Sequence, residues 1–190
     1  MKLLEQRIRY EGEVFPGGIL KVDSFLNHQI DPQLISEMAK ELKRLFADAG
    51  VNKILTIEAS GIALAVMAGL EFRVPVVFAK KSKTRNISDE LFSVEVESFT
   101  HGNTNTVVVS RDYLDGGDRV LIVDDFLATG AALVGLKALV EQAGGTVVGA
   151  GIAIEKAFQG GGDKLRAQGM RIESLAKIAS MSDDGEIRFC

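Results

Sequence analysis

The sequence predicts an α/β fold: a mostly parallel sheet with helices on both faces. Three observations carry this. Apolar stretches of strand length recur at 53–57, 74–79, 120–123 and 146–154. Segments with helical spacing lie between most of them, and such alternation requires crossovers between parallel strands. Val120 to Val123 is continuously apolar, as a strand buried on both sides must be. In sheets of this kind ligands sit beyond the carboxyl ends of the strands.

The elements follow in order. Residues 2–9 form a short helix, and 14–30 form a turn at Phe15-Pro16-Gly17-Gly18 followed by an extended segment. Asp31-Pro32 starts a helix, the acid as cap and proline at the first helical position. Leu34, Ile35, Met38, Leu42, Leu45 and Phe46 make its core stripe, and Gly50 ends the run. Lys53–Ile57 is a strand, Glu58-Ala59-Ser60-Gly61 a tight turn, Ile62–Leu70 a helix and Val74–Ala79 the next strand. Phe92, Val94 and Val96 alternate with polar residues, so this strand is half-exposed and pairs with 106–109 across a polar link at 100–105. After the strand at Val120–Val123 and its helix come a strand at Thr146–Ile154, a short helix at Asp163–Ala167 and a last strand at Arg171–Ile178.

Composition bounds the function. The 190 residues suit one domain, 1–190, with 46% hydrophobic and 25% charged residues. A net charge of −4 argues against a general nucleic-acid binder. The single cysteine, Cys190, excludes an internal disulfide and fits a cytoplasmic location. The N-terminus lacks the apolar core of a signal peptide, and the apolar-rich run near 61–70 is too short to span a bilayer. No membrane partner is expected.

Two strand-to-helix turns stand out, Glu58–Gly61 and Asp124–Gly130. In the second, Asp124 and Asp125 end the buried strand, and Ala128, Thr129 and Gly130 turn into a helix N-terminus. The free N–H groups and dipole there suit a phosphate. The adjacent carboxylates suit a diol or hydrated Mg²⁺. An acid pair that merely caps the next helix is excluded by the residues separating them. Other motifs fail. There is no Walker loop, Gly149-Ala150-Gly151 lacks a third glycine, Ser60 is not in a nucleophile elbow, and two histidines with one cysteine make no metal cluster. Lys80, Lys81, Lys83 and Arg85 form a basic cluster, of which Lys81 is the candidate phosphate contact. His28 reads as structural, His101 as a surface residue and Gly160-Gly161-Gly162 as a flexible turn.

Val-Asp-Asp-Phe-Leu-Ala-Thr-Gly-Ala at 123–131 resembles the phosphoribosyl-pyrophosphate (PRPP) signature of the type I phosphoribosyltransferases. The stretches 17–31, 58–62 and 154–158 extend the resemblance along nearly the whole chain and bring it closest to the bacterial xanthine-specific branch. The resemblance implies a twisted sheet under a small hood, built mainly from about 1–30 and 155–190, that covers the base site. It implies that Ala128, Thr129, Gly130, Ala131 and Ala132 wrap the 5′-phosphate. Asp124 and Asp125 would hold the ribose hydroxyls, directly or through Mg²⁺, and Ser60, Gly61 and Lys81 would contact pyrophosphate. Leu20, Asn27 and Lys156 would form the base pocket, and 98–105 a lid. The implied reaction converts xanthine and PRPP to xanthosine 5′-monophosphate and pyrophosphate in a cytoplasmic homodimer. Where the hypoxanthine-guanine branch has a third aspartate near purine N7, this chain has Ala128. Xanthine, the most acidic common purine, suits entry as an anion beside a cationic Lys156. The alternatives are transfer to guanine, hypoxanthine or adenine, and a PRPP sensor without turnover. About fifty residues precede the first strand-turn-helix, too few for the DNA-binding domain of the repressors in this superfamily.

Overall fold

The computed structural model describes residues 1–82, 90–97, 104–182 and 184–190. Its centre is an eight-stranded sheet in the order β10-β9-β8-β7-β3-β4-β6-β5. These are β3 (Lys53–Ile57), β4 (Val76–Ser82), β5 (Leu91–Glu97), β6 (Thr104–Ser110), β7 (Arg119–Leu127), β8 (Thr146–Lys156), β9 (Ile172–Met181) and β10 (Ile187–Phe189). The run β9-β8-β7-β3-β4 is parallel, while β6, β5 and β10 add antiparallel edges. The half-exposed hairpin of the sequence reading is β5–β6, with Phe92 opposite Val109. Thr104 and Asn105, expected in the link, belong to β6. The lid residues 98–103, with His101, lie outside the described residues, as do Lys83 and Arg85.

Each face of the sheet buries its own core. Ile54, Leu121 and Val123 pack with α1 (Lys2–Glu11), α2 (Pro32–Leu45) and α3 (Ile62–Phe72). Leu55, Val120, Ile122 and Ile152 pack with α4 (Ala131–Gln142), the β5–β6 hairpin and Leu165 of α5 (Gly161–Ala167). Both sides of β7 are therefore dry, which is why Val120 to Val123 carries no polar residue. The start of α2 is as predicted: the Asp31 carboxylate accepts from Gln33 N (3.0 Å) and Leu34 N (3.1 Å), with Pro32 in the first turn. At the amino end of β3, Lys53 Nζ donates to Asp118 Oδ2 (2.7 Å), and both side chains are largely buried.

The turn expected within 15–18 is present, but the segment after it is extended only over Ile19–Lys21. Glu13–Phe15 (β1) and Ile19–Lys21 (β2) form a separate two-stranded hairpin over the Pro16–Gly18 turn. A single π-type turn over Asp23–Asn27 follows, and the N–H of exposed His28 closes it onto the Asp23 carbonyl. The chain ends interlock: the N-terminal ammonium donates to Leu175 O, and Arg9 donates to Ile187 O (3.0 Å) while covering the Phe189 ring.

Chain direction fixes where a site can form. From β3 the chain crosses through α3 to β4 on one side; from β7 it crosses through α4 to β8 on the other. The carboxyl ends of β3 and β7 thus flank the point where the winding reverses, and a crevice opens there.

Candidate active site

The β3–α3 turn and the β7–α4 loop face each other across that crevice, a cavity of about 410 Å³. Every site residue proposed from the sequence lines it: Leu20, Asn27, Ser60, Gly61, Lys81, Asp124, Asp125, Ala128 to Ala132 and Lys156. β7 and β3 are adjacent, so two turns more than sixty residues apart meet at one sheet edge.

The β7–α4 loop is built for close backbone approach. Gly130 adopts φ +88°, open to glycine at little cost. It also caps α4 and has no side chain to bond the helix's first N–H groups, which leaves them for a ligand. In the opposite turn the Glu58–Ala59 peptide is cis. A Cβ at Gly61 would come within 2.2 Å of Thr56 Oγ1 and 3.0 Å of Asp124 Oδ1, so only glycine lets this turn lie against the acids. Thr56 Oγ1 is itself buried without a hydrogen-bond partner among the described residues.

The two acids differ. Asp124 is 6% exposed and accepts from Asp125 N (3.0 Å). Burial pushes its pKa well above the usual carboxylate range, the Asp125 charge adds to the rise, and the Lys81 ammonium opposes it. Asp125 is half-buried. A carboxylate held this way gains from any cation or hydroxyl brought into the crevice.

Lys156, at the end of β8, donates to Gly18 O (2.8 Å) in the hairpin turn and sits 5.3 Å from the centre of the Phe126 ring. Burial lowers its pKa. Leu20 and Asn27 complete this end of the cleft, where Asn27 Oδ1 is buried and unpartnered. Lys80 and Lys81 lie within β4 rather than after a strand, and Lys81 N donates to Glu58 Oε1 (2.6 Å). Glu58, Phe126 and Asn105 also line the cleft. Glu58 is visible in the sequence only as part of a tight turn, Phe126 only as the neighbour of the paired acids, and Asn105 only as the last residue of the expected lid. Gly160-Gly161-Gly162 is not a flexible turn. Gly160 caps α5, and Gly161 and Gly162 are buried in its first turn, Gly161 against the β7–α4 loop and Gly162 against the Glu155 carboxylate.

A doubly wound sheet with a phosphate-sized loop and twin carboxylates at its switch point defines an α/β protein that binds phosphorylated sugars or nucleotides. A phosphoribosyl transferase domain model matches residues 21–169. Over 189 residues the chain is 54% identical to xanthine phosphoribosyltransferases of Bacillus cereus and Bacillus mycoides, covering 100% of this chain and 95% of each relative. Among solved structures, it superposes on the adenine phosphoribosyltransferase of Rhodothermus marinus with a TM-score of 0.75 (24% identity; 93% of this chain, 99% of the other). The Trypanosoma brucei adenine phosphoribosyltransferase gives 0.77 (18% identity; 96% and 82%). The chain belongs to the phosphoribosyltransferase family.

Proposed function

We propose that this chain transfers the 5-phosphoribosyl group of PRPP to xanthine, the reaction of the relatives that share 54% of its sequence. N9 of the base, entering as the anion so that no proton has to leave, forms a bond to C1′ as the C1′–pyrophosphate bond breaks. The products are xanthosine 5′-monophosphate and pyrophosphate, as a purine salvage step. The observation that carries the reading is the shared cleft: a loop of small residues whose helix N-terminus no side chain caps, twin acids and a half-buried lysine around one cavity of nucleotide size.

Each residue has a task in this proposal. The N–H groups of Ala128 to Ala132 and the Thr129 hydroxyl hold the 5′-phosphate. Asp124 and Asp125 face the ribose hydroxyls and fix C1′ in line with the base. Ser60, Gly61 and Lys81 take the pyrophosphate, whose charge grows as the bond breaks. Leu20 and Asn27 hold the base. Protonated Lys156 offers only donors, which suits the 6-oxo group of xanthine and rejects the 6-amino group of adenine. No described group of three or more His, Cys, Asp or Glu could cage a metal. Two carboxylates completed by substrate oxygens fit Mg²⁺, which commonly binds in that manner. When bound with PRPP it would neutralise leaving-group charge. The proposed hood is built mainly from about 1–30, with the hairpin and the π turn, and from 155–190. No described helix is long and apolar enough to cross a membrane. The proposal includes a homodimer in the cytoplasm, which light scattering and fractionation test.

The deciding experiment is pyrophosphate release from xanthine plus PRPP, with Asp124→Asn/Asp125→Asn as the control. The double variant should keep its fold and lose most turnover. Near-normal turnover in it defeats the assignment. A panel of guanine, hypoxanthine and adenine fixes the base, and PRPP binding without release would make the chain a sensor.

A further inference from the structure

We infer that the Glu155–Arg166 pair is a positioning device for the phosphate loop: it clamps α5 so that Gly161 backs the loop and turns the loop's N–H groups into the cleft. The inference rests on the reading of 128–132 as the sugar-phosphate site.

Glu155 is fully buried in β8, one residue before Lys156, and pairs in register with Leu127, the residue that opens the loop. Its carboxylate is held by Arg166 of α5 through two bonds, Nη1 to Oε1 (2.8 Å) and Nη2 to Oε2 (2.6 Å). The Ser174 hydroxyl donates to the same group, and the Lys177 ammonium lies 3.6 Å away. Burial alone would raise the Glu155 pKa, but Arg166, Ser174 and Lys177 outweigh it and hold the group ionised. So many donors on an acid that does not line the cleft indicate anchorage rather than substrate contact.

What the anchor holds is close packing. A Cβ at Gly162 would fall 2.2 Å from Glu155 Oε1, so the first turn of α5 lies directly on the carboxylate. A Cβ at Gly161 would fall 2.2 Å from the Ala128 carbonyl oxygen and 2.6 Å from that of Thr129. From the other side, a Cβ at Gly130 would meet Leu165 of α5 at 2.9 Å. The carbonyls of Ala128 and Thr129 thus face α5. In a trans peptide the N–H points opposite to the C=O, so the Thr129 and Gly130 N–H groups face away from α5. Away from α5 is the crevice. The glycine triplet is a backing plate, and the ion pair fastens it.

The test is calorimetric titration of the full chain with ribose 5-phosphate, for Gly161→Ala and Arg166→Lys. Gly161→Ala pushes the loop directly. Arg166→Lys keeps the charge but loses the two-pronged grip. Both folded variants should bind ribose 5-phosphate about tenfold or more weakly, as a displaced loop misplaces its donors, while the KM for xanthine stays within about threefold. Unchanged ribose 5-phosphate affinity in folded Gly161→Ala overturns the inference, as does an equal loss toward both substrates. Should Arg166→Lys not fold, Glu155→Gln replaces it as the test of the ion pair, and unchanged ribose 5-phosphate affinity in that folded variant overturns the inference. Wild-type turnover of xanthine tests the functional reading separately, because ribose 5-phosphate affinity reports the loop whichever base is used.

Discussion

Replacing Lys156 with methionine removes one charge and leaves most of the packing. The aliphatic stem beside Phe126 is retained, and among the described residues the only protein hydrogen bond lost is the one to Gly18 O. Gly18 sits in a partly exposed turn, so its carbonyl can rehydrate. Losing one such bond costs about 1 kcal/mol, or roughly 2–4 °C in Tm for a chain of this size. The effect on the base should be larger. A hydrogen bond from a charged donor contributes about 1.5–3 kcal/mol, so kcat/KM for xanthine should fall by roughly 10- to 150-fold. Initial rates of pyrophosphate release, with each substrate varied at saturating levels of the other, separate the two sites. The KM for PRPP should stay within about twofold, since Lys156 contacts neither phosphate group in the proposed reading. Burial lowers the Lys156 pKa, so the required ammonium is lost as pH rises, sooner than for an exposed lysine. Wild-type kcat/KM for xanthine should therefore carry an alkaline limb that Lys156→Met lacks. A PRPP KM that rises while xanthine kinetics hold would refute the placement of the base.

Three further outcomes are expected. Asp124→Asn should melt higher than wild type near neutral pH while losing activity: the raised pKa means that the ionised acid costs stability in the folded state, and each kcal/mol recovered shifts Tm by about 2–4 °C. A lower melting temperature contradicts this. Lys53→Met strands the buried Asp118 carboxylate and should cost about 3 kcal/mol in a urea melt, with activity per folded molecule unchanged. Glu155 behaves oppositely to Asp124. Its folded pKa lies below the unfolded value near 4.5, so its contribution is complete above that pH and is lost as pH falls through the folded pKa. Melts at decreasing pH should show a shallower acid loss in Glu155→Gln, and parallel curves would count against it.

The parts of the molecule legible in the sequence are those decided locally. The buried strand before Asp124, the proline-started helix at Asp31 and the alternating hairpin each carry their pattern within about ten residues. The cleft was foreseeable because parallel strands bring their carboxyl ends to one edge. The β1–β2 hairpin was not, because three-residue strands with mostly exposed side chains leave no period to read. The glycine triplet was misread because what requires glycine there is the loop some thirty residues earlier, a contact no local pattern announces. Glu155 carries no local mark for the same reason: three apolar residues, Ile152 to Ile154, precede it, but its partners lie on α5 and β9.

The crevice floor comes from the middle of the chain, from the turns after β3 and β7, whereas Leu20, Asn27 and Lys156 come from segments on either side of it. In the proposed reading, two kinds of recognition are therefore written in different stretches of sequence. Backbone amides, which no substitution but proline deletes, would grip the group common to every reaction of this chemistry, and replaceable side chains near the flanks would read the variable ring. Such a division lets a lineage change its nucleobase by editing the margins while its handling of the activated sugar is inherited intact.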